Sequence, residues 1–131
     1  MRQFIEGKTV LITGGTGSIG SEIVRQVLAF DPKMVRVLSR TEHMQYTLMQ
    51  AMGRLPNLVC FIGDVRNAER LNRAAVEADV IFHVAAMKHV PICEFNAFEA
   101  VETNVIGAQN VVNAAIMNRV KQVVAISTDK A

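Results

Sequence analysis

An apolar run, Thr9-Val10-Leu11-Ile12, leads into Thr13-Gly14-Gly15-Thr16-Gly17-Ser18-Ile19-Gly20 and opens onto the helically spaced Glu22-Ile23-Val24-Arg25-Gln26-Val27-Leu28. A strand, a glycine turn and a helix in that order build a phosphate site. Glycines let the backbone turn tightly and approach a pyrophosphate. The helix N-terminus supplies N–H groups without intrahelical partners and the positive end of its dipole. The glycines at 14, 17 and 20 are spaced G-x-x-G-x-x-G rather than G-x-G-x-x-G. A glycine motif alone says little, but its place between strand and helix raises its weight. Gly14, Thr16, Gly17, Ser18, Ile19 and Gly20 are therefore candidate cofactor contacts.

Strand-like and helix-like patterns alternate through the rest of the chain. Val10 to Thr13 reads as the first strand and Ser21 to Phe30 as the first helix, closed by Asp31-Pro32. Val35 to Leu38 is the second strand, and Glu42 to Met52 the second helix, with Gly53 placed as its C-terminal cap. Leu58 to Ile62 is the third strand, and Asn67 caps a third helix running to about Glu77. Val80 to Ala85 is the fourth strand, Phe95 to Asn118 a long helical region broken near its start, and Val120 to Ser127 the fifth strand. The strands are continuous Val/Ile/Leu runs, as in a parallel sheet covered on both faces. Right-handed crossovers then predict an α/β, Rossmann-like, doubly wound parallel sheet of about five strands in order 3-2-1-4-5. We expect residues 1–131 to be one NAD(P)-binding domain, truncated before the remaining strands and a substrate domain.

Composition narrows the class. Half of the 131 residues are hydrophobic, which excludes a disordered chain. A net charge of +2 with no basic block, six Phe, one Tyr and no Trp argue against a nucleic-acid partner. Cys60 and Cys93 have no metal-site or redox spacing, and two thiols without a framework suit a reducing cytoplasm. Cys60 reads as a small buried hydrophobe. The N-terminus reaches Gly7-Lys8 before any long apolar run, so neither a signal peptide nor a membrane span is expected there.

Ligands in such sheets bind beyond the carboxyl ends of the strands. The second strand ends in Ser39-Arg40, where NAD enzymes place an acid for the ribose hydroxyls. A guanidinium matches phosphate, which favours NADP over NAD, although Glu42 is near enough to serve as a ribose partner. The third strand ends in Asp64-Val65, an acid for the adenine amino group beside an apolar cover for its face. After the fourth strand, Ala85-Ala86 leaves room for a ribose, with Lys88 and His89 on the substrate side; His83, inside the strand, reads as structural. After the fifth, Ser127-Thr128-Asp129-Lys130 combines hydroxyls, a carboxylate and an amine. Such a set can orient a sugar hydroxyl and move protons.

Together these motifs resemble the extended short-chain dehydrogenase/reductases, specifically the inverting UDP-N-acetylglucosamine 4,6-dehydratases and CapD-like polysaccharide biosynthesis proteins. The glycine turn, Ser39-Arg40, Gly63-Asp64-Val65-Arg66, Ala85-Ala86-Met87-Lys88-His89-Val90-Pro91, Thr103-Asn104-Val105-Ile106-Gly107 and Ser127-Thr128-Asp129-Lys130-Ala131 carry the resemblance across essentially the whole chain. It implies a lyase in which NADP takes a hydride from C4 of a UDP-sugar, water leaves across C5 and C6, and the hydride returns to C6. Asp129 would be the acid for the C6 hydroxyl, Lys130 the base at C5, and Thr128 a contact to the sugar hydroxyl; Asn104 would be structural. A homo-oligomer is also expected, and no metal.

Two departures stand out. Thr41-Glu42-His43-Met44 occupies a segment where close relatives carry an acid and a lysine. The superfamily's Tyr-x-x-x-Lys pair is expected beyond residue 131, and Tyr46, the only tyrosine, lies in the second helix. The isolated chain is accordingly expected to be inactive. A complete NADP(H)-binding module without catalysis is a competing reading, as is another epimerase or reductase of the superfamily. Asp129-Lys130 argues against the latter.

Overall fold

A computed structural model describes residues 2–85 and 95–126. After a one-turn helix α1 (Arg2–Ile5) the chain alternates β1 (Thr9–Thr13), α2 (Ser18–Leu28), β2 (Met34–Ser39), α3 (Glu42–Ala51), β3 (Leu58–Ile62), α4 (Ala68–Ala74) and β4 (Val80–His83). A helical stretch follows as α5 (Ala97–Val101), a π-helical turn at Glu102–Ile106, and α6 (Gly107–Met117); β5 (Gln122–Ala125) completes the sheet. All pairings are parallel, in order β3-β2-β1-β4-β5, as the sequence predicts.

The apolar run of β1 feeds two cores at once. Side chains alternate across a strand, so Val10 and Ile12 pack with Val24, Val35, Val37 and Leu48 on the α2–α3 side. Leu11 packs with Leu38, Leu71, Ile81 and Val111 on the α4–α6 side. All three β1 side chains are fully buried, each stabilising the fold by about 1.5–3 kcal/mol. This two-sided burial is why the run shows no polar alternation.

Several boundaries differ from expectation for identifiable reasons. Helix α2 begins at Ser18 rather than Ser21, because Gly20 belongs to the helix: a Cβ there would lie 2.0 Å from the Gly14 carbonyl oxygen. Helix α4 stops at Ala74 rather than near Glu77. Arg36 reaches from β2 and donates to the Ala74 carbonyl (2.9 Å) and to that of Val76, drawing both out of a helical ladder. Glu77 then turns with φ 61°. β4 and β5 are shorter than expected, and β5 is exposed along its whole length rather than covered on both faces. Two caps are as expected: Asn67 Oδ1 accepts from the Arg70 amide (3.0 Å), and Gly53 follows α3 with φ 85°.

Candidate functional site

The carboxyl ends of β1, β2, β3 and β4 border one cleft of about 550 Å³. The turn after β1 forms one wall, and its glycines have separate duties. Gly14 has φ 71° and lies so close to β4 that a Cβ would sit 2.7 Å from the Ala85 amide nitrogen. Gly15 is pressed on Val37, and Gly20 on the Gly14 carbonyl. Gly17 is different: a Cβ there would meet only the Gly14 oxygen, at 3.8 Å. It is the N-cap of α2, and no side chain caps that helix. The first N–H groups of α2 therefore face the cleft beside an open backbone position, the arrangement a pyrophosphate requires.

Thr13 joins this turn to β4. Its Oγ1 accepts from the amides of Val84 (3.1 Å) and Ala85 (3.3 Å) and lies 2.7 Å from His83 Nδ1. With both lone pairs engaged, the hydroxyl gives its own proton to Nδ1, which places the imidazole hydrogen on Nε2. Burial pushes the His83 pKa down, so the ring is held neutral. The structural role expected for His83 is what this geometry shows. The part played by Thr13 was missed, since a threonine closing a strand carries no signal of its own.

At the end of β2, Ser39 is buried and its Oγ accepts from Gln45 Nε2 (2.8 Å), which also donates to the Phe61 carbonyl (2.8 Å). The Ser39 hydroxyl keeps its proton for another partner. Arg40 is 63% exposed, and its Nη1 stands 3.9 Å from Asp64 Oδ2, beyond hydrogen-bond distance. Asp64 instead accepts from the Arg66 amide at Oδ1 (3.0 Å) and from Arg66 Nε at Oδ2 (2.9 Å), with Arg66 Nη2 in ion-pair contact 2.8 Å from the same oxygen. Burial raises the Asp64 carboxyl pKa, but the bonds from Arg66, with the charges of Arg66 and Arg40, outweigh it and hold the group below its ordinary value.

Val65 is fixed from the opposite side. Its carbonyl accepts from Asn110 Nδ2 (2.8 Å), and Gly107 packs so tightly that a Cβ would meet Val65 Cγ2 at 2.7 Å. The π-helical turn that brings α6 in at this angle also places Thr103 on the cleft. Thr103 is buried, lines the cleft, and its Oγ1 has no hydrogen-bond partner among the described residues. A buried unpaired hydroxyl calls for an explanation, and a polar ligand in the cleft supplies one. Thr103 appeared in the sequence only as part of a motif and was not singled out.

The cleft brings together Gly14, Thr16, Gly17, Ser18, Ile19, Gly20, Ser39, Arg40, Asp64, Val65 and Ala85. Ala86, Lys88, His89, Ser127, Thr128, Asp129 and Lys130 lie outside the described residues. Tyr46 is exposed on α3, where its oxygen accepts from Gln50 Nε2 (2.7 Å), away from the cleft lining. Cys60 is half-buried rather than buried, which pushes its thiol pKa up. Among the described residues no three His, Cys, Asp or Glu side chains converge as metal ligands, and no helix is long and apolar enough to cross a membrane.

Comparison with known proteins fits this geometry. Residues 10–131 match the family described as polysaccharide biosynthesis protein. The chain is 53% identical over 128 residues to a Methanocaldococcus jannaschii protein described as an uncharacterized membrane protein, covering 98% of this chain and 38% of that one. It is 47% identical over 128 residues to a UDP-glucose 4-epimerase of Rickettsia massiliae, covering 95% of this chain and 37% of the relative. It is 46% identical over 125 residues to the inverting UDP-N-acetylglucosamine 4,6-dehydratase of Campylobacter jejuni, with the same coverages of 95% and 37%. The chain thus spans little more than a third of the length of these relatives. Among solved structures, Pen from Bacillus thuringiensis superposes with a TM-score of 0.91 at 50% identity, over 93% of this chain and 38% of that one. The dTDP-glucose 4,6-dehydratase DesIV of Streptomyces venezuelae, solved with NAD bound, gives 0.80 at 34% identity, over 88% and 38%.

Proposed function

Because this chain belongs to the polysaccharide biosynthesis protein family, extended short-chain dehydrogenase/reductases of the CapD-like kind, we propose that it is the cofactor-binding part of an NADP-dependent nucleotide-sugar 4,6-dehydratase. The substrate is UDP-N-acetylglucosamine, dehydrated with inversion at C5 for surface-polysaccharide or glycan biosynthesis. The observation that carries the cofactor assignment is Arg40, a solvent-facing guanidinium at the β2 carboxyl end of a cleft built for a pyrophosphate. Support for the reaction comes from the 46% identity to the Campylobacter jejuni enzyme and from Asp129-Lys130 in the sequence.

Each residue has a task in this scheme. The Gly14–Gly20 turn and the first N–H groups of α2 bind the pyrophosphate. Ser39 and Arg40 take the 2′-phosphate, Asp64 accepts from the adenine amino group, and Val65 covers the ring. Ala85 and Ala86 would leave room for the ribose, and Lys88 would be a further cofactor contact on the substrate side. A nicotinamide held there would supply the store for the hydride taken from C4 and given back at C6. Lys130 removes the C5 proton, Asp129 gives a proton to the departing C6 hydroxyl so that water leaves, and Thr128 holds the sugar hydroxyl. These 131 residues hold no Tyr-x-x-x-Lys pair, since Tyr46 is their one tyrosine and Gln50 follows it at the lysine's spacing, so on this reading they do not turn over alone. We place the enzyme in the cytoplasm as a homo-oligomer.

The 47% identity to a protein named UDP-glucose 4-epimerase favours a second reading, in which the sugar is epimerised and no water is lost. Incubating UDP-N-acetylglucosamine and NADP with the product of the whole gene, and separately with the 131-residue chain, distinguishes the two. We expect a 4-keto-6-deoxy sugar nucleotide from the former and none from the latter. A UDP-N-acetylgalactosamine product would establish the epimerase, and robust turnover by the 131-residue chain would refute the need for the downstream pair.

A further inference from the structure

Three charged groups meet at the mouth of the cleft, and only two of them line it. Asp64 and Arg40 face the cleft; Arg66 does not. Yet among the described residues Arg66 makes every hydrogen bond that the Asp64 carboxylate receives. Its Nε and Nη2 both lie within 2.9 Å of Oδ2, and its amide nitrogen lies 3.0 Å from Oδ1. The charges of Glu102 and Glu99 add a weaker attraction to the Arg66 guanidinium. Arg40 is left 3.9 Å from Oδ2 with 63% of its side chain exposed. A carboxylate satisfied by one fork-shaped donor has little to gain from a second. Were Arg66 absent, Asp64 would be a partly buried anion whose remaining cationic neighbour among the described residues is Arg40.

We infer that Arg66 is a positioning residue for dinucleotide preference: by occupying Asp64 it keeps the Arg40 guanidinium free for a 2′-phosphate. This rests on the NADP assignment proposed above. Asp64 Oδ1 carries a single bond from Arg66, so one lone pair remains for the adenine amino group. The same pairing therefore serves the adenine and the phosphate ends of the adenosine moiety. A purely structural role for Arg66, closing the turn after β3, would affect NADP and NAD alike.

The test uses calorimetric titration of the 131-residue chain with NADP and with NAD, reading the ratio of the two affinities. Circular dichroism and the melting temperature establish that each variant is folded, and Arg66→Lys, which keeps the charge without the fork, is carried in parallel. Arg66→Ala should lower NADP affinity by about fivefold and leave NAD affinity within about twofold. Asp64→Asn in the Arg66→Ala background should restore the ratio, since the anion that captures Arg40 is gone, whatever both cofactors lose at the adenine. Arg66→Ala added to Arg40→Ala should change the ratio no further. A parallel loss of NADP and NAD in Arg66→Ala, or no recovery in the double variant, overturns the inference while leaving the NADP assignment intact. If Arg40→Ala alone does not shift the ratio, the NADP assignment itself fails, and this inference with it.

Discussion

Thr13 and His83 lie side by side in the parallel register of β1 and β4, with Oγ1 2.7 Å from Nδ1. The pair closes the sheet at the point where the strand order reverses, directly beneath the glycine turn. The threonine hydroxyl ties down the amides of Val84 and Ala85, so the backbone that borders the cleft is set by a buried network rather than by the turn alone.

This network makes stability depend on pH in a definite direction. The His83 pKa is lowered on folding, so the unfolded chain takes up a proton first as pH falls below about 6.5. The contribution of neutral His83 is fully present above that pH and is lost toward the lowered folded value. Asp64 acts in the same direction but only at lower pH, below about 4, because its carboxyl is ionised in both states until then. Between pH 7 and 5 the melting temperature of the wild type should therefore fall more than that of His83→Gln, whose amide does not titrate. Equal falls would show that His83 is not held neutral.

Gly17 and Gly20 should separate binding from folding. At Gly20 an added methyl meets the Gly14 carbonyl at 2.0 Å, and backbone must move. Gly20→Ala should cost about 3 kcal/mol of stability in a denaturant titration, the upper part of the range for overpacked sites. Gly17→Ala adds its methyl to open space in extended backbone and should cost no more than about 1 kcal/mol. Its effect should appear in calorimetry instead, as dinucleotide affinity weakened about tenfold, roughly the value of one charge-assisted hydrogen bond. Similar stability losses in both variants would show that the open position is not where a ligand approaches.

Thr103→Val tests the orphaned hydroxyl. Valine has nearly the same shape and removes a buried group that nothing among the described residues satisfies, so the melting temperature should hold or rise; an unsatisfied buried polar group costs about 1–3 kcal/mol. Dinucleotide affinity should fall several-fold. A loss of stability without a loss of affinity would mean that the hydroxyl serves the fold.

Much of this was legible in the sequence because a parallel sheet leaves a strong imprint. Its central strands β1 and β2 are covered on both faces, so Val10-Leu11-Ile12 and Val35 to Leu38 stand out as apolar runs, and their alternation with helices fixes the order. What was not legible depends on contacts between elements. That Arg36 would end α4 by drawing away the Ala74 and Val76 carbonyls cannot be read from an alanine-rich stretch with good helix propensity. Nor does Gly20 announce that it sits inside a helix. The cleft shows the same division: Gly17, Arg40 and Asp64 follow from their places at strand ends, whereas Gln45, Thr13 and Thr103 matter through the third-dimension neighbours they hold or lack.

The outer face of the sheet carries its own prediction. Val123 and Val124 of β5 are 41% and 42% exposed, and Phe98, Ile116 and Met117 are largely exposed on α5 and α6. An open apolar strand edge pairs with other chains. The 131-residue chain should self-associate in sedimentation velocity at micromolar concentration, and Val124→Lys should shift it toward monomer. A stable wild-type monomer would contradict this.

The most direct test of the cofactor assignment is calorimetric titration of the wild type and Arg40→Ala with NADP and with NAD. Arg40→Ala should weaken NADP by about tenfold, the scale of a charge-assisted phosphate contact, and leave NAD unchanged. An equal effect on both dinucleotides, or none on either, would contradict the role given to Arg40 and with it the assignment of the cleft to NADP.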